Sequence, residues 1–199
     1  MIAPWVDEHN DPDYPTLRKI GSTHVFRSLR DPKTTRSALL ADKAAGFATG
    51  VYIVSSWYPN LSPRAVADLG NQLLKSVDGG TPSDPVVCWD VETKDVPYVR
   101  TLFRRWKSHR PTRVTDWTLE GHQGGIFKPA DVAELLKTVD RYWVPQCYNG
   151  AMTEVWDTLA MARDLTAIGV PDSRIVPFLD AAHIPAWATG YVFTQGRIP

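Results

Sequence analysis

The sequence predicts an α/β chain folded as a single compact (β/α)8 barrel, and three observations carry that expectation. Short β-like runs alternate with helical patterns from end to end. There are eight such runs, and the 199 residues that hold them show no domain boundary, internal repeat or low-complexity tract. Alternation of this kind predicts a parallel sheet with right-handed crossovers, and eight strands suit a TIM-like barrel over residues 1–199. An open doubly wound sheet is the alternative.

The β-like runs are Ala3 to Asp7, Thr23 to Leu29, Gly50 to Trp57, Pro85 to Glu92, Arg113 to Glu120, Tyr142 to Tyr148, Ile175 to Asp180 and Gly190 to Gln195. Between them, Ser62 is a good N-cap and Pro63 suits a first helical position. That helix continues with Val66, Leu69, Leu73 and Val77 on one stripe. Pro129 to about Val139 carries Val132, Leu135, Leu136 and Val139, the spacing of a helix lying on a core. Thr153 to about Ile168 places Val155, Leu159 and Ala162 together and stops at Gly169, a usual C-terminal residue. Helices near Thr34 to Ala45 and Val96 to Lys107 complete the set, and Asp78 to Asp84 reads as a loop.

Composition narrows the function classes. Hydrophobic residues make up 43% and charged residues 22%, ordinary for a globular chain. Lys plus Arg (22) balance Asp plus Glu (22), so there is no basic excess of the kind that holds nucleic acid. The cluster Arg100, Arg104, Arg105, Lys107 reads as a solvated helix face. No apolar run is long enough to span a bilayer, so no membrane insertion is expected. The start, Met1 to Asp7, has neither a basic nor an apolar leader region, so no secretory signal is expected. Two cysteines, Cys88 and Cys147, read as buried thiols rather than a disulfide framework. Eight tryptophans are a high count; most should be core, with a remainder able to stack on sugar rings.

The chemistry-bearing feature is Asp90-Val91-Glu92, at the end of the apolar run Pro85 to Glu92. Side chains alternate along a strand, so Asp90 and Glu92 share one face while Trp89 and Val91 share the other. In a parallel barrel both acids open at the carboxyl end, where such folds keep their chemistry. Two carboxylates there point to glycosidic-bond cleavage; the plain alternative is a pair of surface acids at a strand end. Glycoside hydrolysis needs a proton donor and support for positive charge at the anomeric carbon. Glu92 is the candidate general acid, because neighbouring negative charge and partial burial raise a carboxyl's pKa toward working pH. Asp90 lies roughly 6–7 Å deeper along the strand. It is a candidate base or nucleophile, or the group that orients a substrate acetamido group.

Other strand ends supply helpers. Asp7 and Asp180 end the first and seventh runs, and Glu120 ends the fifth, as a second working carboxylate or a loop acid. Trp57, Tyr58, Gln146 and Tyr148 are placed to stack on or hydrogen-bond a sugar, or simply to pack the rim. Arg27 is expected to pair with an inner acid or to reach substrate. No Gly-x-Ser-x-Gly elbow, P-loop, His-Glu-x-x-His or Cys-x-x-Cys occurs. A metal held by His122, His183 and Asp180 is disfavoured, so no metal and no cofactor are expected.

The segment from Thr23 to Glu92 resembles the GH25 family of lysozyme-like glycoside hydrolases. Its parts run in that family's order: His24-Val-Phe-Arg27-Ser28, then Ala44-Ala45-Gly46-Phe47 leading through Gly50 to Val51-Tyr52-Ile53, then the Asp90-Val91-Glu92 strand. Val6-Asp7 looks like the family's opening Asp, and Tyr142-Trp-Val-Pro-Gln146-Cys-Tyr148 is similar to a later family strand. The likeness is good over the first half and loose over the second. It departs at Trp117 to Gly125, where the family tends to carry a tyrosine, at Glu8-His9 after Asp7, and at Pro199, where an Asp-bearing tail often follows.

The resemblance implies a muramidase-like barrel acting on peptidoglycan or another cell-envelope polysaccharide, with Asp90 in the substrate-assisted role. It also implies a phage product, carried on the virion or held in the host cytoplasm until lysis, with cell-wall glycan as partner. The alternative is a catalytically silent barrel that binds glycan or builds a phage virion as a minor tail protein, among other tail proteins.

Overall fold

The computed structural model describes residues 2–6, 9–78, 85–91, 93, 95–118, 128–144, 152–177 and 191–194. All eight expected β-like runs contain a strand. These are β1 (Ile2–Val6), β2 (His24–Ser28), β3 (Ala48–Val54), β4 (Val86–Asp90), β5 (Thr115–Thr118), β6 (Arg141–Val144), β7 (Ile175–Pro177) and β8 (Tyr191–Thr194). They form one sheet in the order β7-β6-β5-β4-β3-β2-β1-β8, and the pairings are parallel. The order follows the chain without the reversal that a doubly wound sheet requires. The sheet is curled in the TIM-like manner, so that β7 and β8 have Cα atoms within 8 Å of each other. No ladder hydrogen bonds join those two strands among the described residues.

Curling gives the strands an inside and an outside. Ala3, Trp5, Phe26, Tyr52, Val54, Cys88, Trp143 and Val176 pack together on the inside. The alternate residues, among them Val51, Ile53, Val87, Trp89, Val91, Trp117 and Tyr142, pack outward against helices. Both faces are apolar, as parallel strands covered on both sides require. Most of the tryptophans serve this packing: Trp5 and Trp143 inside, Trp89, Trp106 and Trp117 outside, all buried.

The helices are α1 (Tyr14–Lys19), α2 (Pro32–Ala44), α3 (Pro63–Asp78), α4 (Val96–His109), α5 (Pro129–Leu135) and α6 (Met152–Ala167). Asp31 caps α2 and Asp95 caps α4, each accepting from a backbone N–H in the first turn, with Pro at the start of both helices. Gly169, at φ 91°, follows α6 as expected.

One helix is not foreshadowed by the sequence, and two local expectations are corrected. The sequence gives no sign of α1, because its six residues bury only Leu17 and so show no periodicity. Helix α5 ends at Leu135 rather than near Val139, since Arg174 donates to the Leu136 and Val139 carbonyls and takes over the role of continued helix bonds. The face of α3 is also rotated from the Val66, Leu69, Leu73, Val77 stripe: Val66, Ala67, Gly70 and Leu74 are buried, whereas Leu69, Leu73 and Val77 are half-buried. Trp89 causes that rotation. A Cβ on Gly70 would come within 2.6 Å of the Trp89 ring, so the helix turns its glycine to the indole.

Gly50 plays the same part inside the barrel, where a Cβ would lie 2.3 Å from the Phe26 ring. Phe26 is fully buried and meets Trp143 edge-on at 4.9 Å, so it has nowhere to retreat. Gly50→Ala is therefore expected to destabilise the fold by about 1–3 kcal/mol through overpacking, read as a lower denaturant midpoint at unchanged slope.

Candidate functional site

Strand β4 turns Cys88 and Asp90 inward while Trp89 and Val91 go to the outer layer, as the sequence alternation predicted. Asp90 is the last residue of β4 and is 3% exposed. In the ladders it stands level with Val54 of β3 and Thr118 of β5, both uncharged. Trp143 follows Thr118 in register, and the Thr118 hydroxyl donates to the Trp143 carbonyl at 3.1 Å. Asp90 thus sits at the carboxyl end of the sheet, the end that carries the chemistry in barrels of this kind.

One register layer lower lies a second inward acid that the motif reading passed over. Asp116 of β5 pairs with Cys88 in the ladder and is fully buried. Arg141 grips it with two bonds, Nε at 2.9 Å and Nη2 at 2.8 Å, and the Trp143 indole N–H donates to it at 2.9 Å. Burial pushes the Asp116 carboxyl upward, against the pull of Arg141. Burial also raises the Cys88 thiol well above its usual value, with Asp116 and Asp90 adding to the effect, so this cysteine is an inert packing group. Asp116 shares its alternation with Glu120, which is the sequence signal that could have found it.

Arg27 does not serve the inner site. Strand β2 sends Phe26 inward and Arg27 outward, where its guanidinium meets Asp42 of α2 at 2.8 and 2.7 Å. Arg27 also donates to the Asn10 carbonyl at 2.6 Å, and Tyr14 donates its hydroxyl to Asp42 at 2.9 Å. The expected pairing with an inner acid, and the expected contact with substrate, are both replaced by a buried clamp that ties the β1–α1 loop to α2. The physical reason is alternation: Arg27 is one residue out of phase with the inward side chains. Asp42 was also passed over, although it lies on the buried α2 stripe with Thr35 and Leu39.

The clamp has a pH consequence. Partial burial, and then the bond to Asp42, lift the Tyr14 hydroxyl from 10.0 to about 12. A raised phenol pKa adds stability that is complete below the unfolded value and lost as pH climbs from 10.0 to about 12. Tyr14→Phe is therefore expected to lose less stability than the parent between about pH 10 and about pH 12, measured by urea unfolding.

Trp57 ends a short 3-10 helix (Ser55–Trp57) after β3 and packs on the inner cluster, 6.2 Å from Tyr52. That places it at the rim of the barrel. Tyr58 packs instead against the outer cluster, so its ring serves the sheet–helix layer. Glu92, Asp7, Glu120, Gln146, Tyr148 and Asp180 lie outside the described residues, as do His122 and His183. Among the described residues no group of three or more His, Cys, Asp or Glu is placed to hold a metal. No described helix is long and apolar enough to cross a membrane.

A groove of about 550 Å³ runs between α3 and α4, lined by Arg64, Asp68, Thr101, Arg104, Arg105 and Ser108. It lies on the outer wall, apart from the inward acids. Arg105 and His109 both contact Asp68 at 2.6 Å and hold its carboxyl down at about 2, and Lys107 reaches Asp140 at 3.0 Å. Part of the basic cluster on α4 is thus neutralised within the wall itself.

No protein-family model matches this chain, and no curated protein sequence does. Its structure is similar to that of a GH18 chitinase from Pseudoalteromonas aurantia, with a TM-score of 0.61 at 12% identity over 88% of this chain and 78% of the other. At that identity the likeness bears on the fold alone: an α/β sheet curled in the TIM-like manner.

Proposed function

We propose that this chain is a glycoside hydrolase acting on an acetamido-bearing cell-envelope polysaccharide, with peptidoglycan as the first candidate. The observation that carries the reading is Asp90: a carboxylate buried on the inner face at the carboxyl end of β4. The next residue on the same alternation is Glu92. The chitinase likeness supports a barrel that works on glycans, and GH18 enzymes use a substrate-assisted route.

In that route Glu92 gives its proton to the glycosidic oxygen as the bond to the anomeric carbon breaks. The acetamido carbonyl oxygen closes on that carbon, and Asp90 accepts the acetamido N–H to hold it in line. Water then attacks the anomeric carbon and passes its proton to the Glu92 carboxylate, which restores the acid. Asp7, Glu120, Gln146, Tyr148 and Asp180 belong to the same proposal as rim residues. So does the finer assignment to a GH25-like muramidase of phage origin, which rests on the motif order from Thr23 to Glu92.

The test is release of reducing ends from purified peptidoglycan and from chitin oligosaccharides by the parent and by Glu92→Gln. Release by the parent that the variant loses supports the reading. Binding without release in either protein overturns it in favour of a silent glycan-binding or virion barrel.

A further inference from the structure

We infer that Arg30, held over Trp57 at the barrel rim, makes the site selective for a glycan carrying a carboxylate on or beside the sugar ring. This inference rests on the glycoside hydrolase reading and adds the substrate's charge.

Phe26 faces inward on β2, and Arg30 follows two residues past the end of that strand, exposed at the carboxyl end of the sheet. The Arg30 guanidinium carbon lies 5.7 Å from the centre of the Trp57 ring, within cation–π range. Trp57 in turn rests on Tyr52, and Tyr52 on Trp5 at 4.2 Å. The cation is therefore supported from below by aromatic rings in tilted and edge-on contact that reach down to the inner cluster.

The charge of Arg30 is also left available. Its neighbour Asp31 is the obvious local partner, but that carboxylate caps α2, accepting from the Lys33 N–H at 3.2 Å and from the Thr34 hydroxyl. Arg30 itself is exposed, and among the described residues no ion pair holds it. Arg27, within β2, is buried outward on Asp42 and does not compete for an anion at the rim.

An exposed guanidinium above an indole at the end of the sheet suits one ligand class. The planar fork takes a carboxylate through two parallel bonds, while an aromatic edge beside it contacts the apolar face of a pyranose. A neutral acetamido polymer would use the aromatic and leave the cation unanswered. A lactyl ether acid or a hexuronate would use both.

The experiment compares two forms of one polymer. Glycan strands stripped of their stem peptides expose lactyl carboxylates, and the same strands amidated at those carboxylates are neutral. The parent is expected to bind the charged strands roughly 10-fold more tightly than the neutralised ones, the scale of a charge-assisted hydrogen bond. Arg30→Ala and Arg30→Gln are each expected to collapse that ratio toward one. Thermal midpoints of both variants are read in parallel, and a fall in either removes that variant from the comparison in favour of the other. A parent ratio near one, or a ratio that survives both variants, overturns the inference. Binding of neither form overturns it as well. Glu92-dependent cleavage with no charge preference sinks this inference and leaves the hydrolase reading standing. Charge-selective binding without cleavage does the reverse.

Discussion

Glu92→Gln is expected to keep the parent's stability and to lose at least about 100-fold in turnover, the lower end of what a positioned general acid contributes. Glutamine has the size of the acid but no proton to give, so the effect falls on leaving-group departure rather than on binding. KM should therefore move little while kcat falls. Asp90 makes the mechanism itself testable. If Asp90 orients an acetamido group, a de-N-acetylated glycan should be inert to the parent, because the internal nucleophile is missing. If Asp90 were instead the nucleophile, the deacetylated polymer would still be cleaved. Both routes retain anomeric configuration, so the substrate comparison decides between them and product stereochemistry does not.

The second large effect is structural. Asp42→Ala is expected to cost about 3–5 kcal/mol, the range for removing one partner of a buried ion pair. Both side chains are essentially sealed from solvent, at 1% and 0% exposure, and Arg27 donates two bonds to the carboxylate. Asp42 holds the Arg27 guanidinium in its charged form despite burial, so truncation leaves a cation with no anion in a dry layer. Arg27→Met combined with Asp42→Leu removes both charges and should recover most of the loss. Urea unfolding of the two singles and the double gives the coupling directly; additive losses would show that packing, rather than charge, sets the cost.

These two expectations rest on different kinds of information. Asp90 was legible in the sequence because period two is enough to set it on the face opposite Trp89 and Val91. The eight strands were legible for a related reason: each apolar run is bounded by turn residues and separated by a helical pattern, and alternation of that kind has few topological solutions. Asp42 and Asp116 were harder to see. Neither sits in a recognisable motif, and a single Asp in an otherwise ordinary stretch looks the same whether it faces solvent or an arginine from another element.

The sequence by itself determined which residues share a face, where each strand runs and that the strands lie parallel. Only the tertiary structure decided which face is the inside. Arg27 shows why. Both faces of a covered parallel strand are apolar, so the pattern around Arg27 is the same whichever way it points. Its partner, fifteen residues further on, was set by helix α2. The same holds for α3, whose buried face is set by the indole of Trp89 against Gly70 and not by its own leucines. Periodicity is a property of one element, whereas phase and partner depend on the shape of its neighbours, and close packing admits only one setting of the two.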